Sequence, residues 1–380
     1  VTAPAVGWDD GELLSPVSGA PLHPHTDSFA DGDDRWPVID GIPFLRADRR
    51  ALADEALTCL DAGRRDTALA LLLGDQDGFA PDPPPSLDAR LAVVDDLPRL
   101  SFRDAMERLG YGPVAAYFAH RWSDPTFLSG LALAEAHWRA PARVFELACG
   151  AGHFLREFSA RAATVSGGDL VFSKLWLARH FVAPRARLVC FDAGAAWPLR
   201  DGSADLVFCH DAFYFLPEKP HVAREMRRVA GDGAVLVGHA HNAAVDNWSA
   251  GRPLTVAQYA ELLRPDAAYD DAELARAIVA ERAPRASSAL EQAAAVSFAV
   301  NAGAAQTTGR FAAAEEGARL RRNPLYVDGR VAWPSPRYEA EYGPLATYPE
   351  RSDAAAEIVA GPRHADAIRR REYVDLPERW

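Results

Sequence analysis

The sequence predicts an α/β fold, a mostly parallel sheet with helices packed around it. Three observations carry the prediction. Five apolar runs of strand length alternate with segments of helical spacing between residues 142 and 242. Each run reaches an acid or a histidine at its carboxyl end, where open α/β sheets hold their ligands. Between the first run and its helix stand Gly150 and Gly152, one residue apart. Such a turn brings backbone N–H groups and a helix N-terminus to a ligand.

Composition narrows the function classes. At 380 residues the chain has room for two or three domains. A net charge of −12 argues against nucleic acid, which is held by clustered lysine and arginine; lysine occurs only as Lys174 and Lys219. Cys59, Cys149, Cys190 and Cys209 form no C-x-x-C pair, so neither a disulfide framework nor a metal site is expected. No apolar run has the roughly 18 residues of a membrane span, and no charged-then-apolar leader is seen. The expectation is a cytoplasmic protein without membrane contact.

In chain order, residues 1–47 read as a small module. Leu14-Ser15-Pro16-Val17-Ser18 leads through a polar loop to Trp36-Pro37-Val38-Ile39-Asp40-Gly41-Ile42-Pro43. The pattern resembles a small zinc-ribbon domain, whose first segment reads C-P-x-C and whose second carries C-x-x-C just before Y-P-V-x-D-G-I-P. Here Ser15 and Ser18 stand at the first pair, and Phe29 and Gly32 fall near the second. Serine does not replace thiolate on zinc, so the resemblance implies a ribbon held without metal by Trp36, Val38, Ile42 and Phe44. His23 and His25 are expected on its surface. Residues 48–140 read as helices, first a hairpin over 48–63 and 65–73 turning at Gly63. After a stiff linker, Pro81–Pro85, come helices at 87–96, 101–109, 113–121 and 125–138. The aromatic and basic residues just before the glycine turn make Tyr117 and Arg121 candidate ligand contacts.

Residues 141–302 carry the chemistry. Strands are expected at 144–147, 163–170, 187–192, 204–211 and 234–238, with helices at 172–181 and 218–230. A dinucleotide-binding fold needs G-x-G-x-x-G, and Leu155 stands where its third glycine would be; Glu146 is also foreign to that fingerprint. The order E-x-A-x-G-x-G (Glu146, Ala148, Gly150, Gly152), Asp169-Leu170, Phe191-Asp192-Ala193 and Asp205-Leu206-Val207-Phe208 instead closely resembles the class I S-adenosylmethionine-dependent methyltransferases. Zinc ribbons are fused to, or partner, many members of that family.

The resemblance implies a Rossmann-like seven-stranded methyltransferase sheet, mostly parallel with an antiparallel last strand, flanked by helical N-terminal additions and a C-terminal extension. It implies S-adenosyl-L-methionine as cofactor. Glu146 then lies near the cofactor's amino group, and Ala148, Gly150 and Gly152 let the backbone approach its methionine part. Asp169 holds the ribose, Leu170 lies against the adenine, Asp192 and Ala193 meet the adenine's polar edge, and His210 lines the methyl-donating end. His210, His239 and His241 are the candidate catalytic bases, because imidazole titrates near neutrality, with Asp211 a weaker fourth. With no basic stripe, a small-molecule acceptor is expected. The rival from another class is a non-catalytic scaffold or binding protein on the same fold; the acids at three strand ends argue against it.

Residues 243–290 read as a helical insert at the acceptor site, with helices at 256–263 and 271–280, followed by a strand at 294–300. The extension, 303–380, contains an Asp328-Gly329 hairpin. A tyrosine- and proline-rich stretch follows, in which Arg337 and Tyr338 join Tyr117, Arg121 and Tyr214 as candidate substrate contacts. Arg369-Arg370-Arg371-Glu372-Tyr373 is expected to be a solvated helix end.

Overall fold

The computed structural model describes residues 7–78, 83–246 and 250–380. The N-terminal module is an antiparallel sheet of β1 (His23–His25), β2 (Ser28–Asp31), β3 (Asp34–Ile39) and β4 (Ile42–Pro43), in that order. Trp36, Ile42 and Phe44 are fully buried and Val38 partly so, while His23 and His25 are exposed on β1. Ser15 is buried, and its Oγ accepts the backbone N–H groups of Val17 and Ser18, both at 3.3 Å. The Ser18 hydroxyl donates to Asp31.

The hairpin predicted around Gly63 is α1 (Arg50–Asp61) and α2 (Arg65–Leu72), and Gly63 takes φ +70° at the turn. Pro83–Pro85 is irregular; Pro81 and Asp82 of the expected linker lie outside the described residues. Helices α3 (Leu87–Asp96), α4 (Phe102–Arg108), α5 (Pro113–His120) and α6 (Pro125–Ala136) fall where their spacing places them. Ser101 and Asp104 form a reciprocal capping box on α4, and the Asp124 carboxylate caps α6 by accepting the Thr126 N–H at 2.8 Å. Every residue of α6 is buried. A helix without a solvated face belongs in the core, and α6 packs between the main sheet and a second helix described below.

The main sheet has seven strands: β5 (Arg143–Leu147), β6 (Thr164–Asp169), β7 (Arg187–Cys190), β8 (Leu206–His210), β9 (Ala234–His241), β10 (Ala267–Asp270) and β11 (Ala295–Val300). Their spatial order is β7-β6-β5-β8-β9-β11-β10. The first five are mutually parallel, and β11 runs antiparallel to both β9 and β10. The expected antiparallel last strand is therefore present, but inside the sheet. The edge is β10, which the sequence reading had absorbed into a helical insert. Helices α7 (His153–Phe158), α8 (Phe172–Leu177), α9 (Lys219–Ala230), α10 (Val256–Leu263) and α11 (Asp271–Val279) complete the layers. The helix expected over 172–181 ends in a π turn, Ala178–Val182. α11 is the helix that flanks α6.

The module docks on the opposite edge: the Leu45 N–H donates to the Cys190 carbonyl of β7 at 2.7 Å. This covers the exposed N–H and C=O row that an edge strand presents. Arg46, buried at the junction, donates to Asp75 at 3.0 Å and to the Leu170 carbonyl at 2.7 Å.

The extension forms β12 (Arg319–Arg322), β13 (Tyr326–Val327), β14 (Arg330–Val331), α12 (Pro336–Tyr342), β15 (Glu357–Val359), α13 (Ala365–Arg369) and β16 (Tyr373–Val374). Asp328 and Gly329, at φ +49° and +76°, make the predicted hairpin turn between β13 and β14. The expected solvated end is not one. Arg371 is buried over the Phe127 ring, 5.1 Å from its centroid, and Tyr373 is buried in β16. No helix among the described residues is long and apolar enough to cross a membrane.

Candidate active site

After β5 the backbone enters the left-handed region at Ala148, Gly150 and Gly152, with φ +53°, +53° and +83°, and α7 begins at His153. At Ala148 this conformation costs a non-glycine residue about 1–2 kcal/mol, the kind of local strain that collects at ligand sites. Asp169, at the end of β6, accepts the Gly150 N–H at 2.9 Å and the Val171 N–H at 3.0 Å, which ties the second strand end to the turn. A Cβ on Gly150 would stand 3.0 Å from the Phe118 ring, so the bare glycine permits that approach.

Glu146 is buried, and its Oε2 has no hydrogen-bond partner among the described residues. Burial raises its carboxyl well above the usual range, while the Arg121 guanidinium pulls it down. A buried lone pair without a donor is costly, and a cationic ligand supplies one. Ala148, Gly150, Leu170 and Asp192 remain partly exposed along the carboxyl ends of β5, β6 and β7. Asp192 accepts the Gly194 N–H at 2.8 Å, and Ala193 is buried with its carbonyl accepting from the Trp197 indole. These residues fit an aminoacyl nucleoside with a positive charge.

A second group lies at the ends of β8 and β9. Asp211, at φ +57°, accepts Tyr117 and Tyr214 hydroxyls, each at 2.8 Å, and lies 3.2 Å from the Arg121 guanidinium. His239, at φ +50°, sits at a bulge opposite Ser297 of β11. Its Nδ1 meets Asp271 of α11 at 2.6 Å, and its Nε2 is 3.3 Å from Nε2 of His241. Asp271 also accepts the Ser129 hydroxyl at 2.8 Å and the Ser297 hydroxyl at 2.6 Å. Burial alone would lower the pKa of His239, but Asp271 and Asp211 raise it to about 9. Burial and the neighbouring His239 lower His241 to about 4, and its ring stacks on Tyr214 at 4.2 Å. Asp211 is lowered to about 2: burial opposes this, and His239 and Arg121 overcome it.

Four of the five candidate substrate contacts converge here or next to it. Tyr117, Arg121 and Tyr214 touch Asp211 directly. Buried Tyr338 of α12 interacts electrostatically with Asp124 and Arg121. Arg337, its side chain 59% exposed, pairs with Glu341 one turn on at 3.9 Å and acts on His241 through its charge. His210 departs from expectation. Its Nε2–H donates to the Thr126 carbonyl at 2.8 Å, and its ring stacks on Phe208 and sits over Gly238, where a Cβ would lie 2.1 Å from Nδ1. Burial lowers it to about 3. It is a neutral ring packed in the core between Phe154 and Phe208.

Sequence reasoning missed Asp271, Ser129, Ser297 and Asp124. Ser297 was the available signal, a lone hydroxyl inside an apolar strand. Asp271 reads equally well as a helix-starting acid.

Residues 145–238 match the family described as "Methyltransferase domain". The match spans strands β5 to β9, the two glycines and all three strand-end acids. The chain carries a methyltransferase domain. The sheet order is the one that the sequence's resemblance to the class I S-adenosylmethionine-dependent methyltransferases implies. Several solved structures resemble part of the chain. YcgJ from Bacillus subtilis is 23% identical over 36% of this chain and 65% of its own, with TM-score 0.31. Haemonchus contortus phosphoethanolamine N-methyltransferase 2, in complex with S-adenosyl-L-methionine, is 20% identical over 48% of this chain and 49% of its own, with TM-score 0.37. A chain from the Haloferax volcanii complex of the Trm112 methyltransferase activator is 21% identical over 44% and 75%, with TM-score 0.35. The match spans less than two thirds of the length of YcgJ and of the Haemonchus enzyme. No curated protein matches the chain.

Proposed function

We propose that the protein transfers a methyl group from S-adenosylmethionine to a small-molecule acceptor. The carrying observation is the buried, unpartnered Oε2 of Glu146 beside a turn of positive-φ residues. Glu146 takes the ammonium of the cofactor, Asp169 the ribose hydroxyls, and Asp192 the adenine's amino edge. The cofactor supplies an activated methyl group on a sulfonium, so the leaving group needs little help. The protein's task is to orient and prepare the nucleophile; orientation is worth about 7–11 kcal/mol in favourable cases. His239 and His241 stand at the ends of the strands beside the cradle, and we assign them to preparing the acceptor. Net charge −12 supports a small acceptor over nucleic acid. The N-terminal module is read as a ribbon whose metal has been replaced by the Ser15 and Ser18 hydrogen bonds.

Calorimetry with S-adenosylmethionine and its demethylated product tests the cofactor reading. Glu146→Ala or Asp169→Ala is expected to weaken binding at least about 10-fold, on the order of one charge-assisted hydrogen bond at 1.5–3 kcal/mol. Absence of binding to either compound by the unaltered protein contradicts the reading. His239→Asn and His241→Asn are expected to lower turnover with cofactor affinity kept; unchanged turnover in both removes them from the mechanism.

A further inference from the structure

We propose that Asp211, His239 and His241 hold a divalent metal ion. The candidate donor atoms of the three residues all lie within 4.8 Å of one another. His239 Nε2 is 3.3 Å from His241 Nε2 and 3.9 Å from Asp211 Oδ1. Donors bound at about 2.1 Å in a tetrahedral site stand roughly 3.4 Å apart, so little closure is required. His239 and His241 are two residues apart at a strand end, which brings both rings to the same side.

The surroundings match those of a built metal site. A metal-bound histidine commonly gives its other N–H to a carboxylate, which fixes ring and tautomer. Asp271 does this for His239 Nδ1 at 2.6 Å, and it is itself held by Ser129 and Ser297. That bond leaves Nε2 facing His241 and Asp211. Asp211 is in turn held by two tyrosine hydroxyls. His241 Nδ1 is buried without a hydrogen-bond partner among the described residues, so none of them fixes that ring's tautomer.

Charge agrees as well. The side chains of Asp124, Asp211 and Asp271 are covered around the Arg121 guanidinium, which lies 3.2 Å from both Asp124 Oδ2 and Asp211 Oδ2. With His239 neutral, as a ligand must be, three carboxylates against that guanidinium leave two negative charges for a divalent ion; without an ion, a protonated His239 offsets one of them. Two imidazoles and one carboxylate suit Zn, Fe, Co or Mn in the divalent state and disfavour Mg and Ca, which prefer all-oxygen sites. Three protein ligands also leave positions for an incoming donor, as catalytic sites do. Resting on the methyl-transfer reading above, the acceptor class becomes a small molecule that presents oxygen donors to this ion.

The test uses the full chain after dialysis against a chelator, titrated with cobalt(II) alone. Visible d–d bands saturating at one equivalent, displaced by zinc(II), are expected. His241→Ala and Asp211→Asn should abolish the bands, and Asp271→Asn should weaken cobalt binding about 10–100-fold. His23→Ala/His25→Ala, on the distant surface strand, should leave binding unchanged. Binding of S-adenosylhomocysteine by the same variants is followed in parallel, so loss of the ion is distinguished from loss of the cofactor site. Absence of stoichiometric bands in the unaltered protein overturns the proposal, whatever the folding of the variants. Bands that survive in folded His241→Ala overturn it too.

Discussion

His153, the first residue of α7, shows how much one side chain next to the glycine turn is asked to do. Its Nε2–H donates to the Phe118 carbonyl at 2.9 Å, and its ring stacks on Phe118 and lies 4.2 Å from Trp122. Burial lowers its pKa to about 3, with Arg121 and Arg156 adding to the effect. A helix N-terminus also repels a cation. The unfolded chain binds a proton here near pH 6.5 and the folded chain does not, so stability falls as pH drops from about 6.5 toward 3. Each pH unit in that window costs about 1.4 kcal/mol from this residue. Urea unfolding at pH 7 and pH 5 should show a loss that shrinks by about 2 kcal/mol in His153→Gln, which keeps an N–H donor. An equal loss in both proteins contradicts the assignment.

At the scale of elements, α6 joins the domain to its C-terminal extension. Glu135, fully buried near its end, accepts N–H groups of Gly309 at 2.8 Å, Arg310 at 3.1 Å and Phe311 at 3.0 Å, and the Arg310 side chain at 3.0 Å. Glu135→Ala strands the backbone donors and should destabilise the protein by about 1–3 kcal/mol. Hydrogen exchange should locate the opening at residues 306–312; protection unchanged there contradicts the clamp. Nothing in the sequence singles out Glu135, because an acid inside a predicted helix does not report burial on all sides. The five parallel strands were legible, since buried strands are continuous apolar runs and their terminal acids mark the ligand end. β10 was not: Ala267-Ala268-Tyr269-Asp270 is short, alanine-rich and bounded by helical patterns. Arg371 was missed for a related reason, because a run of arginines normally marks a solvated face.

Across the whole molecule, the N-terminal module and the last residues both pack on the body around the seven-stranded sheet. The N-terminal module covers β7 and reaches Leu170 through Arg46. The last residues return to α5 and α4: the Trp380 indole donates to the Ala119 carbonyl at 2.8 Å, and the Arg379 carbonyl accepts the Phe102 N–H at 2.6 Å. α5 also carries Tyr117 and Phe118, which lie over the two halves of the site. Motif order in the sequence was enough to bring Glu146, Gly150, Asp169 and Asp192 to one end of the sheet, since parallel strands put their carboxyl ends together. The group around Asp211 was only partly visible, because Asp271 and Ser297 come from elements that adjoin β9 only after β10 and β11 pair. A crystal structure with S-adenosylhomocysteine tests this account most directly. The account predicts the ammonium on Glu146, the ribose on Asp169, and the sulfur directed toward Asp211, His239 and His241. A ligand that leaves Glu146 Oε2 unpartnered, or a sulfur directed away from those three residues, contradicts it.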